Sequence, residues 1–299
     1  MHSDQFRRVG LIGRKGNPQV AETLRLLAGF LVARGSVVVL ESQTALLLAE
    51  TLAMQVCDSE KLGEHCDLVI VVGGDGSMLG AARVLCKQQV PVLGINRGSL
   101  GFLTDISPDE IESRVADVLS GRYIREERLL LDATLLRDER EIARADALNE
   151  VVLHRGACLR MIEFELYIDQ HFVYSQHSDG LVISTPTGST AYALSGGGPI
   201  LHPALDAIAL VPMFPHTLTS RPIVVAGNSV FRIVLGGMGL EHRSGTPELS
   251  CDGQTHFALQ AGDVVQVQKK AEKLQLIHPL DHNYYDTCRS KLGWGSRLA

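Results

Sequence analysis

Gly73-Gly74-Asp75-Gly76 is the stretch of this 299-residue chain whose residue types point most directly to chemistry. Glycines can adopt positive φ and leave bare backbone N–H groups facing an anion, which suits a phosphate chain. A carboxylate is out of place there if the loop only holds phosphate, because it repels the phosphate charge. Asp75 makes sense where it must touch a hydroxyl or a metal beside that phosphate; the simpler alternative is a tight turn in which it caps a helix. The flanks place the turn. Leu68 to Val72 is an unbroken, valine-rich apolar run of the kind buried on both faces of a parallel sheet. Ser77 to Leu85 has helical spacing, with Ser77 as the expected N-cap. A turn between a strand's carboxyl end and a helix's amino end lies where open α/β sheets bind ligands.

Three further stretches carry unusual polar content. Asn96 to Asp105 (Asn96-Arg97-Gly98-Ser99-Leu100-Gly101-Phe102-Leu103-Thr104-Asp105) follows a strand and reaches the same carboxyl edge as Asp75. Asn149-Glu150 precedes a strand; an amide beside a carboxylate suits ribose hydroxyls, and the alternative is an ordinary strand start. Asp179-Gly180 runs through an apolar strand into Thr185-Pro186-Thr187-Gly188-Ser189-Thr190-Ala191-Tyr192, then to Ser195-Gly196-Gly197-Gly198-Pro199. Small hydroxyls and bare backbone can hydrogen-bond a nucleotide at close range, and Tyr192 offers a flat face. A merely flexible Ser/Thr/Gly loop is the weaker reading, because apolar residues flank it on both sides.

The elements that must position these residues change character along the chain. Val9 to Ile12 reads as a strand, and Pro18 after Asn17 as a helix start. Helical spacing continues from Gln19 to Ala33, and Gly35 stops it. Ser36 to Leu40 is β-branched, Thr44 to Met54 reads as a second helix, and Val90 to Ile95 as a strand after the central pair. Ser107-Pro108-Asp109-Glu110 opens another helix, which ends near Gly121. This alternation predicts a doubly wound, mostly parallel sheet. Past residue 125 the pattern becomes strands with short connections: Leu129 to Leu136, Glu150 to His154, Met161 to Ile168, Leu181 to Ser184, Pro222 to Val225, Val230 to Leu235 and Val264 to Lys269. One short helix is expected around Ala191 to Leu194. The tail from Asn283 to Trp294 turns helical and is expected to return to the first domain. The predicted fold class is α/β plus all-β: a Rossmann-like domain over 1–125, rejoined by 277–299, and a β-sandwich-like domain over 126–276.

Composition narrows the functions. A hydrophobic content of 45% supports a substantial core. A net charge of −6 with no lysine or arginine block argues against nucleic acid as a partner. No apolar run is long enough to span a bilayer, and the first residues lack the apolar core of a secretion signal. Six scattered cysteines without a C-x-x-C pair fit reduced thiols in the cytoplasm. The Gly10-x-x-Gly13-x-x-Gly16 spacing is not a dinucleotide fingerprint, and no G-x-x-x-x-G-K-[ST] loop occurs.

Taken in order, the four stretches resemble those of bacterial-type NAD kinases, the ATP-NAD kinase family, over nearly the whole length. Cys251-Asp252-Gly253-Gln254 adds to the resemblance. The glycine loop alone is shared with phosphofructokinases and with diacylglycerol and sphingosine kinases; its combination with Thr185 to Tyr192 is specific. The resemblance implies transfer of the γ-phosphoryl group of ATP, with a divalent metal (magnesium expected), to the 2′-hydroxyl of NAD's adenosine ribose. It implies Asp75 as general base, with Gly73, Gly74 and Gly76 around the donor phosphates. Asn149 and Glu150 would hold the acceptor ribose, with Arg160 and His177 as further contacts. Asp179, Thr187, Thr190, Ala191, Tyr192, Ala193, Leu194 and Ser195 would frame the dinucleotide, Phe102 would pack on adenine, and Gln254 would add a late contact. The site would lie in a cleft between the domains, and the family commonly forms dimers or tetramers. No residue is assigned as a metal ligand.

Two rivals share part of the pattern. A lipid kinase would have the same loop, but should show a cationic or apolar membrane-facing surface that this acidic sequence does not advertise. A non-catalytic NAD or NADPH sensor would keep the pocket without needing a carboxylate that faces phosphate.

Overall fold

The computed structural model describes residues 6–14, 16–48, 54–98, 101–156, 161–236 and 246–294. The chain begins with β1 (Arg8–Gly13), α1 (Pro18–Ala33), β2 (Val37–Glu41), α2 (Ser42–Ala45), β3 (Gln55–Cys57), α3 (Leu62–His65), β4 (Leu68–Gly73), α4 (Asp75–Gln88), β5 (Val92–Asn96), α5 (Ile111–Leu119) and β6 (Ile124–Arg128). There follow β7 (Leu131–Arg137), β8 (Arg140–Ala147), β9 (Glu150–His154), β10 (Ile162–Ile168), β11 (His171–Ser178), β12 (Gly180–Ser184), α6 (Tyr192–Ser195), β13 (Ala207–Met213), β14 (Ile223–Ala226), β15 (Phe231–Leu235), β16 (Glu248–Cys251), β17 (Thr255–Ala258) and β18 (Val264–Lys269). The described chain closes with β19 (Leu274–His278) and α7 (Tyr284–Leu292). Two compact units result, one of Met1–Glu127 with Lys273–Ala299 and one of Arg128–Glu272.

The first unit is built on a seven-stranded sheet of order β3-β2-β1-β4-β5-β19-β6, with parallel pairing from β3 through to β19. Strand β4 is central, and all six of its residues are buried. Its side chains alternate between faces: Leu68, Ile70 and Val72 join one core with Leu24, Leu27 and Leu31 of α1 and Val115 and Val118 of α5. Burial of each such aliphatic side chain contributes roughly 1.5–3 kcal/mol. Helix α1 starts where the sequence predicts, with Pro18 at its first position and the Asn17 side chain accepting from Gln19 N–H. The tail does form a helix, capped by Asn283 and ended by Gly293 at φ +69°. Its approach begins with β19, which pairs parallel to β5.

Three expectations in this unit are corrected. Ser77 is not the N-cap of α4: Gly74 is, because the chain turns into the helix directly after β4, leaving Ser77 one turn inside. The glycines of the turn do not use positive φ, since none of Gly73, Gly74 and Gly76 has it. The helix expected over Thr44 to Met54 is only Ser42–Ala45 followed by a 3-10 turn at Leu46–Leu48; residues 49–53 lie outside the described residues. Glu41 starts it early by accepting from the N–H groups of Gln43 and Thr44.

The second unit consists of two six-stranded antiparallel sheets, β11-β10-β15-β18-β7-β8 and β14-β13-β12-β9-β16-β17. Alternate residues of both, including Phe164, Phe231 and Val267 from one and Val151, Leu181 and Leu210 from the other, share a single core. This is a β-sandwich. Among the described residues no helix is long and apolar enough to cross a membrane.

Candidate functional site

In the first unit, Asp75 is the first residue of α4 and its carboxylate is half-buried. One oxygen accepts the N–H of Phe102 at 2.9 Å and the other that of Leu103 at 3.1 Å. The loop can approach this closely because Gly101 has no side chain: a Cβ there would run into the Asp75 carboxylate and Thr104 Oγ1. Asp75 therefore sits at a helix N-terminus, where the dipole favours an anion, with two backbone donors holding its orientation.

A cavity of about 490 Å³ opens beside it, lined by Gly73, Gly74, Asp75, Asn96 and three cations, Arg14, Arg97 and Lys291. Arg97 is anchored twice, its N–H donating to the Gly73 carbonyl at 2.9 Å and its Nε to Thr23 Oγ1. A Cβ at Gly74 or Gly76 would meet no atom within 4 Å, so the helix start is left open on that side. Asn96 is 5% exposed, and its Oδ1 has no hydrogen-bond partner among the described residues. The Asp75 carboxylate gives the cavity a hard oxygen group, while Asn96 Oδ1 is closed off by the protein around it. A single carboxylate fits a magnesium-type ion, which takes one or two protein oxygens and completes its shell with water and phosphate.

In the second unit, Glu150 opens β9 and is 6% exposed. Burial, followed by the charge of nearby Asp252, pushes its pKa up to about 8, against a hydrogen bond from the Tyr192 backbone. Its Oε2 lacks a partner among the described residues. Asp252 occupies the tight turn after β16 at φ +53° and accepts three N–H groups, from Leu148 at 2.9 Å, Asn149 at 2.8 Å and Glu150 at 3.2 Å. It thereby fixes the start of β9. The hydroxyl-rich turn packs against the same segment: Thr185 N–H donates to the Asn149 carbonyl at 2.9 Å, and a Cβ at Gly188 would collide with the Asn149 backbone.

Glu150, Asp179 and Tyr192 are brought together with Asp252, Arg155, Met213 and Phe214 around a cavity of about 470 Å³. Asp179 Oδ1 lies 3.3 Å from Arg155 Nε. Thr187 is buried, its hydroxyl 3.4 Å from Arg128 Nη1, and Thr190 donates back to the Thr187 carbonyl. Ala191 leads into α6, whose Ala193 is fully buried, Leu194 half-buried and Ser195 exposed. Ser195 lines a neighbouring cavity with Met213 and Phe214. Gln254 is exposed in the β16–β17 turn. His177 is about half exposed, 3.8 Å from Glu163, and lines none of these cavities. In the first unit, Phe102 packs on Tyr284 with ring centroids 6.3 Å apart. Arg160 lies outside the described residues.

Residues 9–123 match the ATP-NAD kinase N-terminal domain and residues 148–279 the ATP-NAD kinase C-terminal domain. The NAD kinase of Azotobacter vinelandii is 61% identical over 99% of this chain and 98% of its own length. The chain belongs to the NAD kinase family. The fold of a yeast NADH kinase, solved with NADH, superposes with a TM-score of 0.89 at 24% identity, over all of this chain and 94% of the other. An NAD kinase from Archaeoglobus fulgidus, solved with ATP, gives 0.69 at 22% identity over 95% and 98%.

Within this NAD kinase-type chain, the sequence reading overlooked Asp252, Asn96 and the three cations Arg14, Arg97 and Lys291. Asn96, Arg97, Asp252 and Lys291 lie inside longer stretches, and Arg14 carries no pattern of its own. Single charges widely separated in sequence give no pattern until the sheet edge gathers them.

Proposed function

We infer that the protein is an NAD kinase, moving the γ-phosphoryl group of ATP to the 2′-hydroxyl of NAD's adenosine ribose to give NADP. Family membership along nearly the full chain supports the activity, and the placement of Asp75 carries the assignment of roles. A carboxylate tied to two backbone amides, beside a cavity walled by three cations and bare glycine backbone, can take the hydroxyl proton while the cations bear the phosphate charge. General-base help of this kind is worth about 10²–10⁴-fold; positioning and charge neutralisation supply the rest.

On the acceptor side, Asn149 and Glu150 hold the ribose, Glu150 from the wall of the cavity it shares with Asp179 and Tyr192. Asp179, Thr187, Thr190, Ala191, Tyr192, Ala193, Leu194 and Ser195 frame the dinucleotide, Phe102 packs on adenine, and Arg160, His177 and Gln254 add contacts. A magnesium ion, held by donor phosphates beside Asp75, would neutralise charge on the transferred group. The protein works in the cytoplasm as a homo-oligomer.

The deciding experiment is NADP formation by the purified protein from NAD, ATP and magnesium, with polyphosphate and diacylglycerol offered in parallel reactions. NADP accumulating with ATP as donor is the expected result. A folded protein that makes no NADP with either donor would sink the kinase reading.

A further inference from the structure

Asp105, His278 and His282 form a second cluster in the first unit that phosphoryl transfer does not use. Asp105 ends the loop after β5, His278 ends β19, and His282 lies just before α7. His278 is buried and the other two are partly so: the Asp105, His278 and His282 side chains are 15%, 1% and 13% exposed. Both imidazoles turn Nδ1 toward one oxygen, Asp105 Oδ2, His278 by a short hydrogen bond and His282 at 3.1 Å. The rings stack with centroids 4.0 Å apart and planes 22° apart. One ligand atom from each residue lies within 4.8 Å of the other two. The far nitrogen of His278, Nε2, lies 3.1 Å from Glu126 Oε2, within ion-pair distance but outside hydrogen-bond geometry.

The geometry is that of a ligand set rather than of a packed core. Three potential ligand atoms, Asp105 Oδ2 and the two histidine Nδ1 atoms, converge on one point. A divalent ion there would take both rings as neutral ligands. Glu126 then stands where a carboxylate commonly orients the far nitrogen of a metal-bound histidine. Two nitrogens and one carboxylate oxygen are a zinc-type donor set.

We propose that Asp105, His278 and His282 bind a zinc-type divalent ion, with Glu126 orienting His278. Asp105 and His282 also line a cavity of about 310 Å³ beside Asn283 and Asp286, which gives the ion a way in and room for a water ligand. The ion would tie the returning tail to the loop whose Phe102 and Leu103 amides hold Asp75, so occupancy should stabilise the first unit. Binding itself does not depend on the kinase reading.

The test is titration of the full chain, stripped by chelator, with zinc and separately with cobalt(II). The expected result is about one zinc per chain, visible ligand-field bands from cobalt, and a higher melting temperature with zinc. His282→Ala should lose the binding, and Glu126→Gln should weaken it about 10–100-fold. A second histidine group, His154, Glu248 and His256, lies in the other unit, so His256→Ala should leave the zinc unchanged. The proposal is overturned if the folded parent shows no saturable zinc and no cobalt bands, if His282→Ala binds as the parent does, or if His256→Ala removes the ion. The cobalt spectrum of the parent decides even where a variant fails to fold.

Discussion

Asp75 and Glu150 carry the same functional group, and the two units treat it in opposite ways. Asp75 begins a helix at the carboxyl edge of a parallel sheet, half-exposed, with both oxygens taken by backbone N–H groups. Glu150 begins a strand in an antiparallel sandwich, buried, with Asp252 nearby and one oxygen without a partner among the described residues. The difference follows from architecture. At the carboxyl edge of a parallel sheet, a loop and a helix N-terminus both aim donors at one point. A sandwich strand spends its donors on its neighbours, so a carboxylate at its start must be completed from outside. The first arrangement suits a group that reacts, and the second a group that recognises.

The largest effect expected from this contrast is at Asp75. Asp75→Asn keeps the size, cannot accept a proton and gives up one of the two amide bonds, so turnover should fall by about 10²–10⁴-fold while NAD affinity stays within a few-fold. Steady-state kinetics with a separate NAD titration check this. Equal turnover in parent and variant would remove the distinction between a reacting and a recognising carboxylate.

Asp252→Ala comes next and strikes the recognition side. Three N–H groups lose their acceptor, two of them, Leu148 and Glu150, in buried residues, and restoring partners is costly where water cannot reach. A loss of about 3 kcal/mol in the urea midpoint analysis is expected, together with weaker NAD binding, because the start of β9 is no longer held. Unchanged stability would mean that the turn finds other acceptors and that Asp252 positions nothing.

The third effect is a pH dependence that only the buried carboxylate should show. Glu150 titrates near 8 in the fold, against an ordinary value near ~4.3 when unfolded. Between those values the folded state holds a proton that the unfolded state has lost, so this group's contribution falls as pH rises and is fully lost above about 8. Glu150→Gln removes the penalty. Relative to the parent, the variant should gain stability from pH 5 to pH 8.5, by on the order of 2 kcal/mol once side-chain relaxation is allowed for. Urea melts of both proteins at the two pH values measure it; a difference that stays flat with pH would show Glu150 already ionised in the fold.

How much of this was legible beforehand depended on whether the cause was local. The apolar run of β4, the Pro18 helix start and the Glu150–His154 and Val264–Lys269 strands are set by their own residues, and these features appear in the structure. β8 and β11 were not foreseen. Both are edge strands whose exposed faces carry polar residues such as Arg140, Glu141, His171 and His177, so no clear apolar alternation marks them. Asp75 was legible because a carboxylate among glycines is anomalous on its own. Asp252 was not singled out, since its function lies in three amides about a hundred residues away.

The smallest predicted effect sharpens the recognition side most finely. Asn149 donates its N–H to Asp252 and offers its carbonyl to Thr185, and both bonds are made by the backbone. Asn149→Ala keeps that framework and deletes only the side-chain amide. If that amide holds the acceptor ribose, the loss is a single hydrogen bond, worth about 1–1.5 kcal/mol, or roughly tenfold in NAD affinity. Stability and the turnover of saturated enzyme should hardly move. Isothermal titration with NAD, beside a urea melt, separates the two contributions. An affinity unchanged from the parent would leave Asn149 as a strand start whose backbone alone matters, and would assign the ribose to Glu150.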